Sequence, residues 1–314
     1  MTPAATDDAE ATDPVGADGP SDDGVDSTTE SDDTKTTRDR YTRKRCALIT
    51  GCSSGIGRAT AAAFLAENWQ VVATARNPAD IDDLEEAGCT TMALDVTDGD
   101  QVARVVERTV EIGGAIDCLV NNAGYAKLGP LEDVPTSEVH RQFQVNVYGP
   151  HRLTRTALPH MRAQEDGRII NVSSVLGRIA VAGTGAYAGS KHALEAMSDA
   201  LRAEVEGFDI EVVVVEPGPV QSEFEERAQD EVPEERTAAY APLYDLFEDT
   251  QLVGGGGPLA VEPSAVADAI VHAGTCPEPP ARYPVGAVAE YGLYARFLPD
   301  RLRDAAYGLI QKLA

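Results

Sequence analysis

Short apolar runs alternate with longer stretches of helical period along most of this chain. From residue 45, CALIT, QVVATA, TTMALD, DCLVNN, RIINVSS and IEVVVVEPG each read as a buried strand. Between them, apolar positions recur every three or four residues over 55–68, 79–87, 100–112, 137–162 and 186–206, the spacing of amphipathic helices. Strand and helix in strict alternation predict βαβ units. The expected fold is therefore α/β: a doubly wound parallel sheet with helices on both faces, in a single domain. After Pro219 the regularity lapses. Residues 221–257 are polar and acidic and end in GGGG, and a long irregular segment in a compact domain is a candidate lid. A helix over 264–273, a strand at ARYPVG and an amphipathic C-terminal helix complete the pattern, which shows no internal repeat.

Composition changes the picture at the N-terminus. Residues 1–42 hold almost no large apolar side chain, so they cannot bury enough surface to offset ordering entropy and are expected to be a disordered, solvating tail. The basic stretch RDRYTRKR abuts the first strand and reads as a solvated boundary, with the folded domain over 43–314. No run is long and apolar enough for a membrane span, and no apolar leader opens the chain, so the reading is cytoplasmic without a membrane partner. The five cysteines are scattered, with no metal spacing and no disulfide framework. Cys46, Cys89 and Cys118 are placed in strands as small buried hydrophobes. Net charge is −26; residues 1–40 contribute −9 and the rest −17, so the acidity extends over the folded part. A phosphate-rich partner is repelled by such a surface, which argues against nucleic acid. Of 26 basic residues only five are lysines. Acid excess with scarce lysine suggests a protein of a salt-loving organism, in which high salt screens the self-repulsion.

Candidate chemistry lies at the carboxyl ends of the strands, where ligands bind in such sheets. ITGCSSGIGRAT follows the first strand and opens the first helix. Gly51, Gly55 and Gly57 fall where the backbone must turn tightly, approach a ligand and pack on the sheet, and free amides at the helix start suit an anion. Arg76 directly follows the second strand. An acid near this point would accept from the ribose 2′-OH of NAD, whereas an arginine accommodates the 2′-phosphate of NADP; the cofactor expected is NADP(H), with NAD(H) less favoured. Asp95 either meets the adenine edge or caps the following helix, a role for which Asp98 competes. NNAG, at 121–124, follows the fourth strand. Ser174 ends the fifth, with Tyr187 and Lys191 beyond it on one helix face. When hydride reaches a carbonyl carbon, charge develops on oxygen, which needs a donor and then a proton. A free phenol has a pKa of about 10, and bringing it near 7 requires roughly 4 kcal/mol of differential interaction. A neighbouring ammonium such as Lys191 is a source of it, and Ser174 would orient the carbonyl.

Taken together, TGCSSGIG from Thr50, LDVTD around Asp95, NNAG from Asn121, Asn146 in VNVYGP, SSVLG with Ser174, YAGSK and EPGPV from Glu216 resemble a short-chain dehydrogenase/reductase of the non-extended type. The resemblance covers residues 45–222 in family order. It implies a Rossmann-type sheet of about seven strands, a nicotinamide cofactor and an Asn146–Ser174–Tyr187–Lys191 tetrad in which Asn146 relays protons through water to Lys191. It implies cofactor contacts from Gly51, Ser53, Ser54, Gly55, Ile56 and Gly57, from Asp95 and Val96, from Asn122, Ala123 and Gly124, and from Tyr187 and Lys191. Pro217, Gly218 and Val220 would border the nicotinamide, and Ser222 its amide or the pyrophosphate. With VVATARN, SSVLGR and RYPVG, the chain is similar to the hydroxysteroid- and retinol-type branch, and a homodimer or homotetramer is implied.

The departures are the acidic extension and the segment over 223–257, the expected substrate lid, with Tyr240, Tyr244, Leu246 and Phe247 as candidate apolar contacts. The function expected is hydride transfer between NADP(H) and a carbonyl or secondary alcohol on a largely apolar small molecule, with Tyr187 as general acid–base and no metal. Two alternatives stand beside it. A regulator that senses NADP(H) without turnover would not need Ser174, Tyr187 and Lys191 together. A sugar-nucleotide epimerase or dehydratase on the same sheet carries a different glycine spacing and a large C-terminal domain.

Overall fold

A computed structural model of the chain describes residues 43–222, 232–233, 236–248, 257–302 and 305, with backbone alone at 246–248, 293 and 295. The expected tail over 1–42, most of 223–235, 249–256 and the end of the C-terminal helix lie outside the described residues. The strands are β1 (Cys46–Thr50), β2 (Gln70–Ala75), β3 (Thr90–Ala93), β4 (Cys118–Asn121), β5 (Gly167–Val172), β6 (Ile210–Pro217) and β7 (Arg282–Val285). They form one seven-stranded sheet in the order β3-β2-β1-β4-β5-β6-β7, parallel throughout. The strand order reverses between β1 and β4, which opens a crevice at their carboxyl ends.

Alternation of side chains along each strand loads both faces. On one, Ala47, Ile49, Ala73, Val120 and Val213 pack with Phe64 of α1 (Gly55–Ala66) and Val266 and Ile270 of α8 (Pro263–Thr275). On the other, Cys46, Leu48, Val72, Leu119 and Ile169 meet Val102 and Val105 of α3 (Gly99–Gly113) and Leu153 and Met161 of α5 (Gly149–Gln164). Each fully buried large apolar side chain contributes about 1.5–3 kcal/mol. Cys46, Cys52, Cys89 and Cys118 are buried and unbridged; Cys89 stands one residue before β3 and not within it.

The helices depart from the sequence pattern in three places. The stretch over 79–87 divides into a tight turn at Pro78–Ile81 and the short α2 (Asp82–Glu86). The long helix over 137–162 is interrupted: α4 (Thr136–Phe143) widens into one π-type turn at Gln144–Tyr148 before α5 begins. Pro150 has no N–H for the carbonyl of Asn146, four residues earlier, so the regular ladder is broken there. The polar stretch after Pro219 is not irregular throughout, for α7 (Ala241–Glu248) forms within it. Helices α6 (Gly185–Val205) and α9 (Ala287–Gly292) complete the set used below. Among the described residues no helix is long and apolar enough to cross a membrane.

Candidate active site

Gly51 and Gly55 adopt φ of +73° and +55°, a conformation open to glycine at little cost. A Cβ on Gly51 would stand 2.8 Å from Ala123 Cα, and one on Gly57 would strike Gly51 O and Asn122 Nδ2. Small residues therefore let three segments close on one another: the turn after β1, the start of α1 and the turn after β4. Asn122 fastens them. Its amide N–H donates to Thr50 Oγ1 at 3.0 Å, and its Nδ2 donates to the carbonyls of Thr50 and Gly51 at 2.9 and 3.1 Å. Ala123 N–H donates to the same Thr50 hydroxyl at 3.0 Å. Ser54, in extended conformation, makes no side-chain cap to α1, so the first amides of that helix are offered to an anion. A Cβ on Gly55 would meet Ser222 Cβ at 3.2 Å, which sets Ser222 across this cradle. Ser53 and Ile56 complete the turn, Ser53 lending its carbonyl to Arg58 at 3.1 Å.

Arg76 is exposed at the end of β2, and no described residue pairs with it. Arg58 is engaged instead, by the carbonyls of Ser53 and Asp80 and by an ion pair to Asp83. At the end of β3 the competition for the cap is decided. Asp98 accepts from the amides of Asp100 and Gln101 at 2.9 and 3.0 Å and caps α3, while Asp95 accepts from Thr97 N–H and Oγ1–H. Val96 buries its side chain against Gly149, which leaves its backbone as the means of meeting a ligand.

Asn146 and Lys191 meet at Gly124. A Cβ there would lie 3.7 Å from Asn146 Oδ1 and 3.9 Å from Lys191 Nζ. Asn146, in the widened turn, is pinned on three sides: Tyr125 N–H donates to Oδ1 at 2.9 Å, and Nδ2 donates to Tyr125 O at 2.8 Å and to Ser190 Oγ at 3.1 Å. Lys191 Nζ donates to Val172 O at 2.8 Å and stands 5.7 Å from the centre of the Tyr187 ring. Lys191 is 5% exposed, and burial pushes it down to about 8, against a smaller upward pull from Glu195. The Tyr187 ring packs with Ala126, Leu128 and Leu176. Leu176 in turn donates its N–H to Ser174 Oγ at 3.1 Å, so the Ser174 turn is tied to the tyrosine's own packing partner. Pro217 ends β6 and Gly218 follows it, where a Cβ on Gly218 would meet Val288 at 3.3 Å, and Val220 is buried and bridged to Val261. Sequence reasoning passed over Thr50, Tyr125 and Ser190. Thr50 and Ser190 stood inside motifs already singled out, but their partners are distant in the chain.

The segment carrying α7 is latched to the loop after β4. Thr237 donates to Asp133 through N–H at 3.1 Å and Oγ1 at 2.6 Å, and Tyr244 and Tyr240 hydroxyls reach Asp133 and Glu132 at 2.7 Å. The hydrogen bonds from Thr237 and Tyr244 hold the Asp133 carboxyl below its usual range. Tyr240 and Tyr244 thus act as tethers through their hydroxyls; the side chains of Leu246 and Phe247 lie outside the described residues. Among the described residues no group of His, Cys, Asp and Glu side chains is arranged to hold a metal ion.

A glycine cradle at the reversal of strand order, beside a buried Tyr–Lys–Asn constellation, defines a dinucleotide-dependent oxidoreductase. The family model described as short chain dehydrogenase matches residues 45–233. An uncharacterized oxidoreductase of Escherichia coli K12, YbbO, is 34% identical over 263 residues, 83% of this chain and 93% of its own. An NADPH-dependent 3-dehydrocapnine reductase of Ornithobacterium rhinotracheale is 34% identical over 277 residues, 84% of this chain and 96% of its own. Among solved structures, a short-chain dehydrogenase from Streptomyces avermitilis superposes with a TM-score of 0.73 at 34% identity, over 86% of this chain and 98% of that one. The chain belongs to the short-chain dehydrogenase/reductase family and is an NAD(P)-dependent enzyme of that kind.

Proposed function

We propose that this protein is an NADP(H)-dependent oxidoreductase acting on a carbonyl or secondary alcohol of a largely apolar small molecule, with Tyr187 as general acid–base. The observation that carries the reading is the placement of Asn146 and Lys191 against Gly124 at the carboxyl end of the sheet, with the Tyr187 ring 5.7 Å from Lys191 Nζ. The cradle fits a dinucleotide, because the glycines at 51, 55 and 57 let three segments close together and leave the first amides of α1, without a side-chain cap from Ser54, to meet a pyrophosphate. Gly51, Ser53, Ser54, Gly55, Ile56, Gly57 and Ser222 would hold its pyrophosphate end. Asp95, Val96, Asn122 and Ala123 would hold the adenosine side, and Gly124, Pro217, Gly218 and Val220 the nicotinamide side. When bound, the nicotinamide supplies or accepts the hydride at the substrate carbon. Ser174 donates to the substrate oxygen and holds it. Tyr187 gives that oxygen its proton in reduction and takes it back in oxidation. The Lys191 ammonium stabilises the phenolate formed when the proton leaves and offers hydrogen bonds to the cofactor ribose. Asn146, pinned by Tyr125 and Ser190, would lend its backbone carbonyl, which Pro150 has no N–H to meet, to a proton-carrying water.

Arg76, unpaired among described residues, supports NADP(H) over NAD(H), as does the NADPH dependence of the reductase from Ornithobacterium. The same reading assigns 223–257 as a substrate lid, 1–42 as a solvating tail, and the protein to the hydroxysteroid- and retinol-type branch. It is read as a cytoplasmic homodimer or homotetramer at home in high salt. The test is a titration with NADPH and then NADH in molar KCl, followed by nicotinamide fluorescence. Tighter NADPH binding is expected; equal or tighter NADH binding removes Arg76 from the 2′-phosphate site. Tyr187→Phe should bind NADPH normally yet reduce none of a panel of apolar ketones and aldehydes accepted by the parent. Turnover near the parent rate would overturn the assignment of Tyr187.

A further inference from the structure

One turn beyond Lys191 on α6, Glu195 is 4% exposed, and Glu216, just before Pro217, is 1% exposed. They come from different elements and meet two guanidiniums. Arg178, beyond the Ser174 turn, places Nη1 3.5 Å from Glu195 Oε2 and 3.4 Å from Glu216 Oε1. Arg282, at the head of β7, places Nε 3.2 Å from each of the same two oxygens. Arg282 also grips both oxygens of Asp199, at 2.6 and 2.7 Å. Arg202 Nη1 takes Asp199 as well, at 2.8 Å, so three carboxyls here face three guanidiniums. Burial first, and the neighbouring Glu195 second, push the Glu216 carboxyl up to about 7. The second oxygen of Glu195, Oε1, and the hydroxyl of Ser173 are buried with no hydrogen-bond partner among the described residues. Both crowd Gly177, where a Cβ would stand 3.3 and 2.6 Å from them. The cluster therefore spans the Ser174 turn, the helix of Tyr187 and Lys191, and the strand that leads to Pro217 and Gly218.

We propose that Glu195 is a positioning residue that acts through Lys191, supplying the negative charge that keeps this buried ammonium protonated, with Glu216 as its partner carboxyl and Arg178 and Arg282 as the clamp. The proposal rests on the reading of Lys191 as part of the reacting centre. The charged groups facing Glu195 are Lys191 from its own helix, Arg178 from the turn after β5, Glu216 from β6 and Arg282 from β7, and Asp199 joins through Arg282 while paired with Arg202.

The test needs no substrate. With only five lysines in the chain, lysine labelled with ¹³C and ¹⁵N gives few side-chain signals, and Lys191→Met identifies the one to follow through a pH titration. In Glu195→Gln the Lys191 midpoint should fall by about one unit, the effect of losing a nearby opposite charge. In Glu216→Gln it should hold, because Glu195, the carboxyl that acts on Lys191, stays in place. Glu195→Asp, which retains the charge, should return the midpoint toward that of the parent. Equal movement in Glu195→Gln and Glu216→Gln, or none in Glu195→Gln, would reduce the cluster to scaffolding. If Glu195→Gln fails to fold, the other two variants decide: a fall in Glu216→Gln, or a fall of a unit in Glu195→Asp, overturns the proposal. NADPH titration of the parent reports on the enzymatic reading separately, so the two can fail independently.

Discussion

Replacing Lys191 with methionine should stabilise the protein at neutral pH while removing its turnover. The ammonium is buried, and its pKa falls from 10.5 to about 8, chiefly through desolvation. At 1.36 kcal/mol per unit, that drop is a destabilisation of roughly 3 kcal/mol carried by the charged form. The sign follows from proton counting. Below about pH 8 the lysine is protonated in both folded and unfolded states, and the full cost is present. Between about 8 and 10.5 the unfolded chain binds more protons, so stability rises with pH as the cost is relieved. Methionine has a similar reach and no charge, but it forfeits the 2.8 Å bond to Val172 O, worth about 1 kcal/mol. The variant should therefore be more stable than the parent by about 2 kcal/mol at pH 7, and should lose that lead as the pH approaches 10.5. Urea unfolding of both proteins across this range, at one fixed KCl concentration, measures it. Because other groups titrate alike in both, the difference isolates Lys191. A difference that stays flat from pH 7 to 10.5 would refute the claim that a buried charge is being carried at this site.

Two glycines make opposite predictions for the same substitution. Gly57→Ala drives a Cβ into Gly51 O and Asn122 Nδ2, so it should cost about 1–3 kcal/mol in urea unfolding and weaken NADPH binding. Gly189→Ala, exposed in α6 with nothing near its absent Cβ, should stabilise by about 1 kcal/mol. Asp133→Ala removes the acceptor shared by Thr237 and Tyr244, so amide exchange over 236–248 should accelerate markedly while NADPH affinity holds; unchanged exchange would mean that the latch lies elsewhere.

Much of the fold could be read from the chain because buried parallel strands write themselves as continuous apolar runs. CALIT sends Ala47 and Ile49 to one core and Cys46 and Leu48 to the other. Local pattern carries no information on which strands pair, and the number of strands came from the family resemblance. The break in the long helix was harder to see. Its apolar period runs on through 144–148, and only Pro150, lacking one donor, marks the widened turn that holds Asn146. Helix α7 went unread for another reason: its apolar spacing is brief and set among acids and glycines that dominate the composition.

The site divides along the same line. A cradle for a dinucleotide is made by backbone approaching backbone, so it requires glycines at fixed spacing in one continuous stretch, and that requirement is visible in TGCSSGIG. Capping is also local, yet Asp95 and Asp98 both met the rule, and the choice fell to which carboxylate meets the amides of Asp100 and Gln101. The charge state of a buried lysine obeys no local rule. By helical spacing Lys191 shows Tyr187 on one side and Glu195, its one charged neighbour, on the other; what disposes of that carboxylate is Arg178, Glu216 and Arg282, from three other elements. The Coulomb interaction is long in range inside a poorly polarisable core, so the residues that tune a catalytic group need share no segment with it. Motifs therefore show where the chemistry is, and the folded arrangement shows at what pH it can run.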